Sequence, residues 1–287
     1  LLKASGFRFD LFKTKIFVGE ERPDIVRREP GESMADTIFM IHGMWSGGWY
    51  WENYVRFFES KGYRCVTPTL LYHDISVHED PDPRLGSTSV LDYANRLEKE
   101  ICRLEPPILM GHSMGGLLAQ ILAARGRAKA LVLLAPAPPA GINALTVSVL
   151  RCFMRPLFRY GFWRKHHRIS FKTSVYGILH LMSPEDRRAI YEKMVFESGR
   201  AAAEIGLWWA DRSRASRVDE KMVTCPVMVI AGKNDRITPE KVVRKVAEKY
   251  NALDHYRVFE NNAHWLIAEP GWEDIVQHIS DWLKENI

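Results

Sequence analysis

Two rhythms of hydrophobic and polar positions alternate along this chain. Short apolar stretches fall at residues 37–41, 64–67, 107–110, 130–134, 227–230 and 256–259. The longer of these are continuous and rich in β-branched residues, which predicts strands buried on both faces. Between them, apolar residues return at three- and four-residue spacing and predict helices. Trp51, Tyr54, Val55 and Phe58 form one such face, stopped by Gly62. Ala94, Leu97, Ile101 and Leu104 form another, with Ser89 and Asp92 placed to cap its start. Val242, Val243 and Val246 mark a helix opened by Thr238-Pro239, and Ile275, Ile279, Trp282 and Leu283 mark the last. Residues 6–29 predict two further strands joined by a turn, and the polar, proline-bearing residues 72–87 predict a loop.

Strand and helix in alternation predict crossover units and a mostly parallel sheet, an α/β fold. The rhythm breaks after Pro139. From residue 143 to 211 no strand-like run occurs, and three or four helices are expected, one starting at Ser183-Pro184-Glu185. The expected division is a core of residues 1–136 and 218–287, with residues 137–217 as a helical cap. There is no internal repeat and no low-complexity segment.

Composition narrows the class. The chain has 287 residues, 46% apolar and 26% charged, enough for one large globular domain with an insertion. No apolar run reaches the roughly 18 residues of a membrane span. The first residue is Leu1, and no signal-peptide pattern follows it. Cys65, Cys102, Cys152 and Cys225 are scattered, with no C-x-x-C pair. They read as free thiols of a reducing, cytoplasmic compartment, with no metal site. The net charge of +5 is uneven, since Ala137 to Arg217 holds 14 Lys/Arg against 6 Asp/Glu. A solvated basic surface accounts for this. The functional reading is attraction to anionic substrates or to a membrane surface. Nucleic acid is a poor fit, because the basic groups lie in an insertion over an enzyme-like sheet.

Chemistry concentrates at Gly111-His112-Ser113-Met114-Gly115-Gly116. An apolar strand stops at a glycine, one serine follows, and a helical pattern begins after two glycines. That is the G-x-S-x-G elbow, with Ser113 held out at the apex of a turn where side chains at Gly111 and Gly115 would collide. A serine hydroxyl needs a base, and the base needs an acid to hold its tautomer. On a parallel sheet these groups gather past the carboxyl ends of strands. His264 directly follows the last strand. His112 neighbours the serine and should point away from it, His42 precedes a turn glycine, and His166 and His167 lie in a basic cap run. Asp235 follows the preceding strand, while Ala135-Pro136-Ala137 offers no carboxylate; Asp254 and Glu260 are nearby rivals. The order Ser113, Asp235, His264 fits this architecture. Activity resting on such a base falls in acid. For an oxyanion hole, the backbone N–H of Met114 is one donor and that of Met44 the second, with Trp45 as its rival.

His42-Gly43-Met44-Trp45, the elbow, Gly232-Lys233-Asn234-Asp235-Arg236-Ile237-Thr238-Pro239 and Ala263-His264-Trp265 each resemble a block of the α/β-hydrolase superfamily, in order and each after a strand. The resemblance implies an eight-stranded, mostly parallel sheet, a helical cap after the sixth strand, and no cofactor. It implies a serine hydrolase, with Trp45 and Trp265 beside the substrate. Many relatives carry an Asp-x-x-Gly-x-Gly-like turn where this chain has Leu70-Leu71-Tyr72-His73-Asp74. The subfamily therefore stays open.

The expected reaction is hydrolysis of carboxyl esters of fairly apolar acyl or lipid-like substrates through an acyl-enzyme. The same triad also serves carbon–carbon hydrolysis, perhydrolysis or lyase work, and some relatives of such folds only bind ligands. The cap aromatics Phe153, Phe158, Tyr160, Phe162, Trp163, Trp208 and Trp209 suggest an apolar pocket over Ser113. Arginines and lysines interleaved with apolar groups between residues 151 and 172 suggest a weak membrane-surface contact.

Overall fold

A computed structural model describes residues 35–157 and 160–287. Its sheet is built from β1 (Thr37–Ile41), β2 (Arg64–Val66), β3 (Ile108–His112), β4 (Ala130–Leu134), and, after the insertion, β7 (Val227–Gly232) and β8 (Tyr256–Phe259). All pairs are parallel, in the order β2-β1-β3-β4-β7-β8. β3 and β4, the inner strands, are buried at every position. The described residues thus supply six of the eight strands expected in the sheet. The other two fall on residues 6–29, outside the described residues.

Alternate strand residues feed two cores. Phe39, Ile41, Leu109, Leu131 and Val229 face α2 (Val90–Ile101), α3 (Met114–Ala124) and α8 (Glu240–Lys249). Ile38, Met40, Met110, Val132 and Ile230 face α1 (Glu52–Ser60) and α9 (Trp272–Asn286). Burial on both faces explains why these strands read as continuous apolar runs. Caps lie where expected. Ser89 and Asp92 form a capping box on α2, and Gly62 after α1 takes the left-handed φ of 88° that glycine tolerates best. From β1 the chain runs out to β2 and returns to β3 on the other side. The loops after β1 and β3 therefore diverge around a crevice at the carboxyl edge of the sheet.

Between β4 and β7 the chain leaves the sheet and builds α4 (Val147–Leu157), α5 (Phe171–Gly177), α6 (Pro184–Lys193) and α7 (Gly199–Gly206). It also contains an antiparallel pair not expected from the sequence, β5 (His166–His167) with β6 (Glu197–Ser198). Two-residue strands carry no readable periodicity, so this pair escapes a pattern reading. Two buried carboxylates tie the insertion to the core. Glu204 of α7 accepts from the Val90 N–H (2.8 Å) and the Ser89 hydroxyl at the start of α2, where the helix dipole favours negative charge. Glu197 accepts from the Tyr93 hydroxyl (2.8 Å) and from His73 Nε2 (3.0 Å). Residues 35–287 form one compact unit.

Candidate active site

Ser113 sits between β3 and α3 with φ 54° and ψ −122°, a conformation that L-residues rarely adopt. Its surroundings hold it there. Its N–H donates to the Leu134 carbonyl (3.1 Å), and its carbonyl accepts from the Ala137 N–H (2.8 Å). A side chain at Gly115 would strike the carbonyl oxygens of Ile41 and His42, and one at Gly111 would strike the Gly115 carbonyl. The elbow glycines are thus required by close backbone approach.

The structure brings Ser113, His264 and Asp235 together in one line. His264 Nε2 lies 3.1 Å from Ser113 Oγ, and His264 Nδ1 lies 2.8 Å from Asp235 Oδ2. A carboxylate only accepts, so Nδ1 carries the imidazole proton and Nε2 presents its lone pair to the serine hydroxyl. Asp235 is fixed in turn. Its Oδ1 accepts from the N–H groups of Ile237 (2.7 Å) and Thr238 (2.9 Å). The Thr238 hydroxyl reaches either Asp235 Oδ2 (2.8 Å) or the Ala135 carbonyl (2.9 Å). The acid and base loops are joined by backbone bonds, Lys233 N–H to the Phe259 carbonyl (3.0 Å) and Asn234 N–H to the Asn262 carbonyl (2.9 Å). All three side chains are buried. Asp254 and Glu260, the rivals for the acid, are exposed.

The two histidines nearest the elbow and the loop after β1, His112 and His42, have structural partners. His112 Nε2 donates to the His264 carbonyl at 2.7 Å, and burial, with His264 close by, holds its ring neutral. His42 donates from Nδ1 to the Gly43 carbonyl (2.8 Å) and accepts the Leu70 N–H on Nε2 (3.0 Å). Burial first, then neighbouring His73, drops its pKa to about 3. Met44 and Met114 both line the cavity that contains Ser113. Neither backbone N–H has an acceptor among the described residues, as expected for Met114 at the first turn of α3. The loop carrying Met44 is held by the Gly43 N–H, which donates to the Tyr50 hydroxyl (3.1 Å). Trp45 adopts a left-handed φ of 63°, and its carbonyl accepts from Val195 N–H in the insertion (2.9 Å).

Trp45 lines the main cavity, where its ring packs on Phe153. Trp265 does not reach that cavity. It lines a separate small one beside His264 and packs edge-on against Tyr50. Of the cap aromatics, Phe153 and Phe162 line the main cavity, whereas Tyr160, Trp163 and Trp209 are exposed. The aromatic lining expected over Ser113 is therefore narrower than the composition suggested, and aliphatic residues such as Val149, Ile205 and Leu207 complete it. Phe158 lies outside the described residues.

Sequence reasoning missed Glu269. This fully buried carboxylate accepts from the N–H groups on either side of His264, Ala263 (2.6 Å) and Trp265 (3.0 Å). A lone charge inside the apolar run Trp265-Leu266-Ile267-Ala268 and Pro270 was the available signal. Burial pushes its carboxyl up from 4.5 to about 6, against the two N–H bonds, which favour the charged form. A folded-state value above the unfolded one means that the folded chain holds more proton between the two. This group's favourable contribution is thus full below about pH 4.5 and lost as pH rises through about 6, a change of about 2 kcal/mol. Glu269→Gln cannot titrate. The wild type's stability advantage over it is expected to shrink by that amount between about pH 4 and about pH 8, as read from urea unfolding at each.

Among the described residues, no group of three or more His, Cys, Asp or Glu side chains is arranged to hold a metal ion.

The sequence profile of the alpha/beta hydrolase family matches residues 38–276, which span every element of the site. The protein belongs to the α/β-hydrolase family. Solved structures share its fold at low identity. A methylesterase from Arabidopsis superposes with a TM-score of 0.65 at 13% identity, covering 87% of this chain and 99% of that one. Tomato methylketone synthase I gives 0.66 at 15%, covering 89% and 100%. A pyrethroid hydrolase from Sphingobium faniae gives 0.64 at 16%, covering 87% and 97%. In sequence, a carbendazim-hydrolysing esterase of a Nocardioides species is 31% identical over 85 residues, 30% of this chain. The match spans about a third of that curated relative's length (34%).

Proposed function

We propose that this α/β hydrolase is a serine carboxyl-ester hydrolase acting on small-molecule esters with a fairly apolar acyl group. The observation that carries this reading is the line Ser113–His264–Asp235, which opens on an apolar cavity. Ser113 Oγ attacks the ester carbonyl carbon while His264 Nε2 takes its proton. The oxyanion is held by the N–H groups of Met44 and Met114. The carbon–alkoxy bond then breaks, and the departing oxygen takes the proton from His264. Water attacks the acyl-enzyme by the same route, giving a carboxylic acid and free Ser113. Asp235 holds the tautomer and stabilises the imidazolium. The relatives named as a methylesterase, a pyrethroid hydrolase and a carbendazim-hydrolysing esterase support ester-class chemistry. A panel of chromogenic esters of increasing acyl length tests it. Turnover is expected to rise with chain length before the cavity is filled, and no turnover of any member would sink the reading.

We place the protein in the cytoplasm on its four free cysteines. We also extend the reading to a weak contact with an anionic membrane surface through Arg164 and Lys165, which stand beside exposed Tyr160 and Trp163. Binding to anionic liposomes that fades with salt tests this; no binding at low salt ends it.

A further inference from the structure

Two cavities flank Ser113, and they differ in size and chemistry. The larger, about 120 Å³, is bounded by Met44, Met114 and the insertion's Val149, Phe153, Ile205 and Gly206. The smaller, about 10 Å³, is bounded by Tyr50, His112, Ile178, His264 and Trp265. A space of about 10–15 Å³ is what one water molecule needs, so the smaller cavity admits a single group of about water or methyl size.

The path of the proton decides which half of an ester goes where. The leaving oxygen must receive its proton from His264 Nε2 and so must lie beside that ring. His264 borders the small cavity and not the large one. The alcohol half therefore occupies the small side, and the acyl half has the apolar side. Resting on the ester-hydrolase reading above, we infer that the substrates are esters joining a bulky apolar acyl group to a methanol-sized alcohol.

The small side also suits the second half of the reaction. After the small alcohol has left with the His264 proton, water of the same size can enter there. Its oxygen adds to the acyl carbon as His264 Nε2 takes its proton, and that proton passes to Ser113 Oγ as the acyl–Oγ bond breaks.

Each side has a residue that sets its size. Gly206 ends α7 at the wall of the large cavity, and a Cβ there would meet no atom within 4 Å. A larger side chain at that position enters open space and narrows the acyl side. Ile178, 3% exposed, stands against the small cavity on the opposite side.

The test is a matrix of aliphatic esters, methyl to butyl in the alcohol and acetate to octanoate in the acyl group, with the full chain. Methyl octanoate should exceed both butyl octanoate and methyl acetate in kcat/KM by about tenfold or more, the scale of discrimination that one or a few methylenes provide. Gly206→Leu should lower the octanoate-to-acetate ratio about tenfold, and Ile178→Ala should raise the butyl-to-methyl ratio by a similar factor. Ratios within one variant are insensitive to how much of it folds. Equal rates for methyl and butyl octanoate, or a preference for acetate, overturn the assignment while leaving the esterase reading intact. If a phosphonate probe labels Ser113 but no ester in the matrix is cleaved, the esterase reading falls together with the assignment, and the reactive serine serves other chemistry. If Ser113 is unlabelled and nothing is cleaved, the esterase reading falls and this inference falls with it.

Discussion

Ser113→Ala is expected to lower kcat/KM on any ester the wild type cleaves by about 10⁵-fold, with the fold intact. The substitution removes one oxygen and keeps the Cβ, so the strain at φ 54° is the same in both proteins. The Ser113 backbone bonds to Leu134 and Ala137 do not involve the hydroxyl. His264 keeps its bond to Asp235, because that bond uses the other ring nitrogen. Unfolding free energy should therefore change by no more than about 1.5 kcal/mol, the usual net worth of the one hydrogen bond lost, that to His264 Nε2. On the proposed mechanism what is lost is the attacking atom, and the residual rate is expected from the proposed oxyanion donors Met44 and Met114 and from substrate positioning. Steady-state kinetics beside a urea melt separates the two effects, and a comparable fall in stability would point to a structural role for the hydroxyl instead.

Asp235→Asn should cost about 10⁴-fold in kcat, although it changes the shape of the site very little. The reason lies in the donor and acceptor pattern. Oδ1 of Asp235 accepts two backbone N–H groups, so the amide oxygen of an asparagine would be drawn to that position. Its NH₂ group would then face His264 Nδ1, where a donor now meets a donor. The imidazole responds by moving its proton to Nε2, which leaves Ser113 facing N–H instead of a lone pair. The base is present but in the wrong tautomer. Raising pH should not rescue this variant, because the fault is not protonation of the ring. The kcat–pH profile checks that point, and a profile that recovers to wild-type values in alkali would contradict it.

The Ser113–His264–Asp235 line and the inner strands were legible because the physics behind them is local. β3 and β4 are buried on both faces, which forces unbroken apolar runs, and the elbow glycines answer to collisions within a few residues of Ser113. His264 and Asp235 were found by position, each standing just past a strand end. What could not be read depends on contacts between distant segments. Glu269 is written as one acid among 35 acidic residues, and only the folded loop shows it bracketing His264. Glu204 resembles an ordinary helix glutamate until it is seen at the start of α2, more than a hundred residues away in the chain. The cap aromatics looked alike in the sequence. Whether Phe162 faces the cavity and Trp163 the solvent is settled by how the turn at Gly161 packs, which no periodicity encodes. The difference in size between the two sides of Ser113 was equally invisible, since its walls come from segments far apart in the chain.

Whether Ser113 is a nucleophile activated by His264 is decided by a fluorophosphonate probe followed by peptide mass spectrometry. A single phosphonyl adduct is expected on the Ser113 peptide of the wild type, none in Ser113→Ala, and slow formation in Asp235→Asn. An unmodified Ser113 in a folded wild-type protein that still cleaves esters would contradict that role.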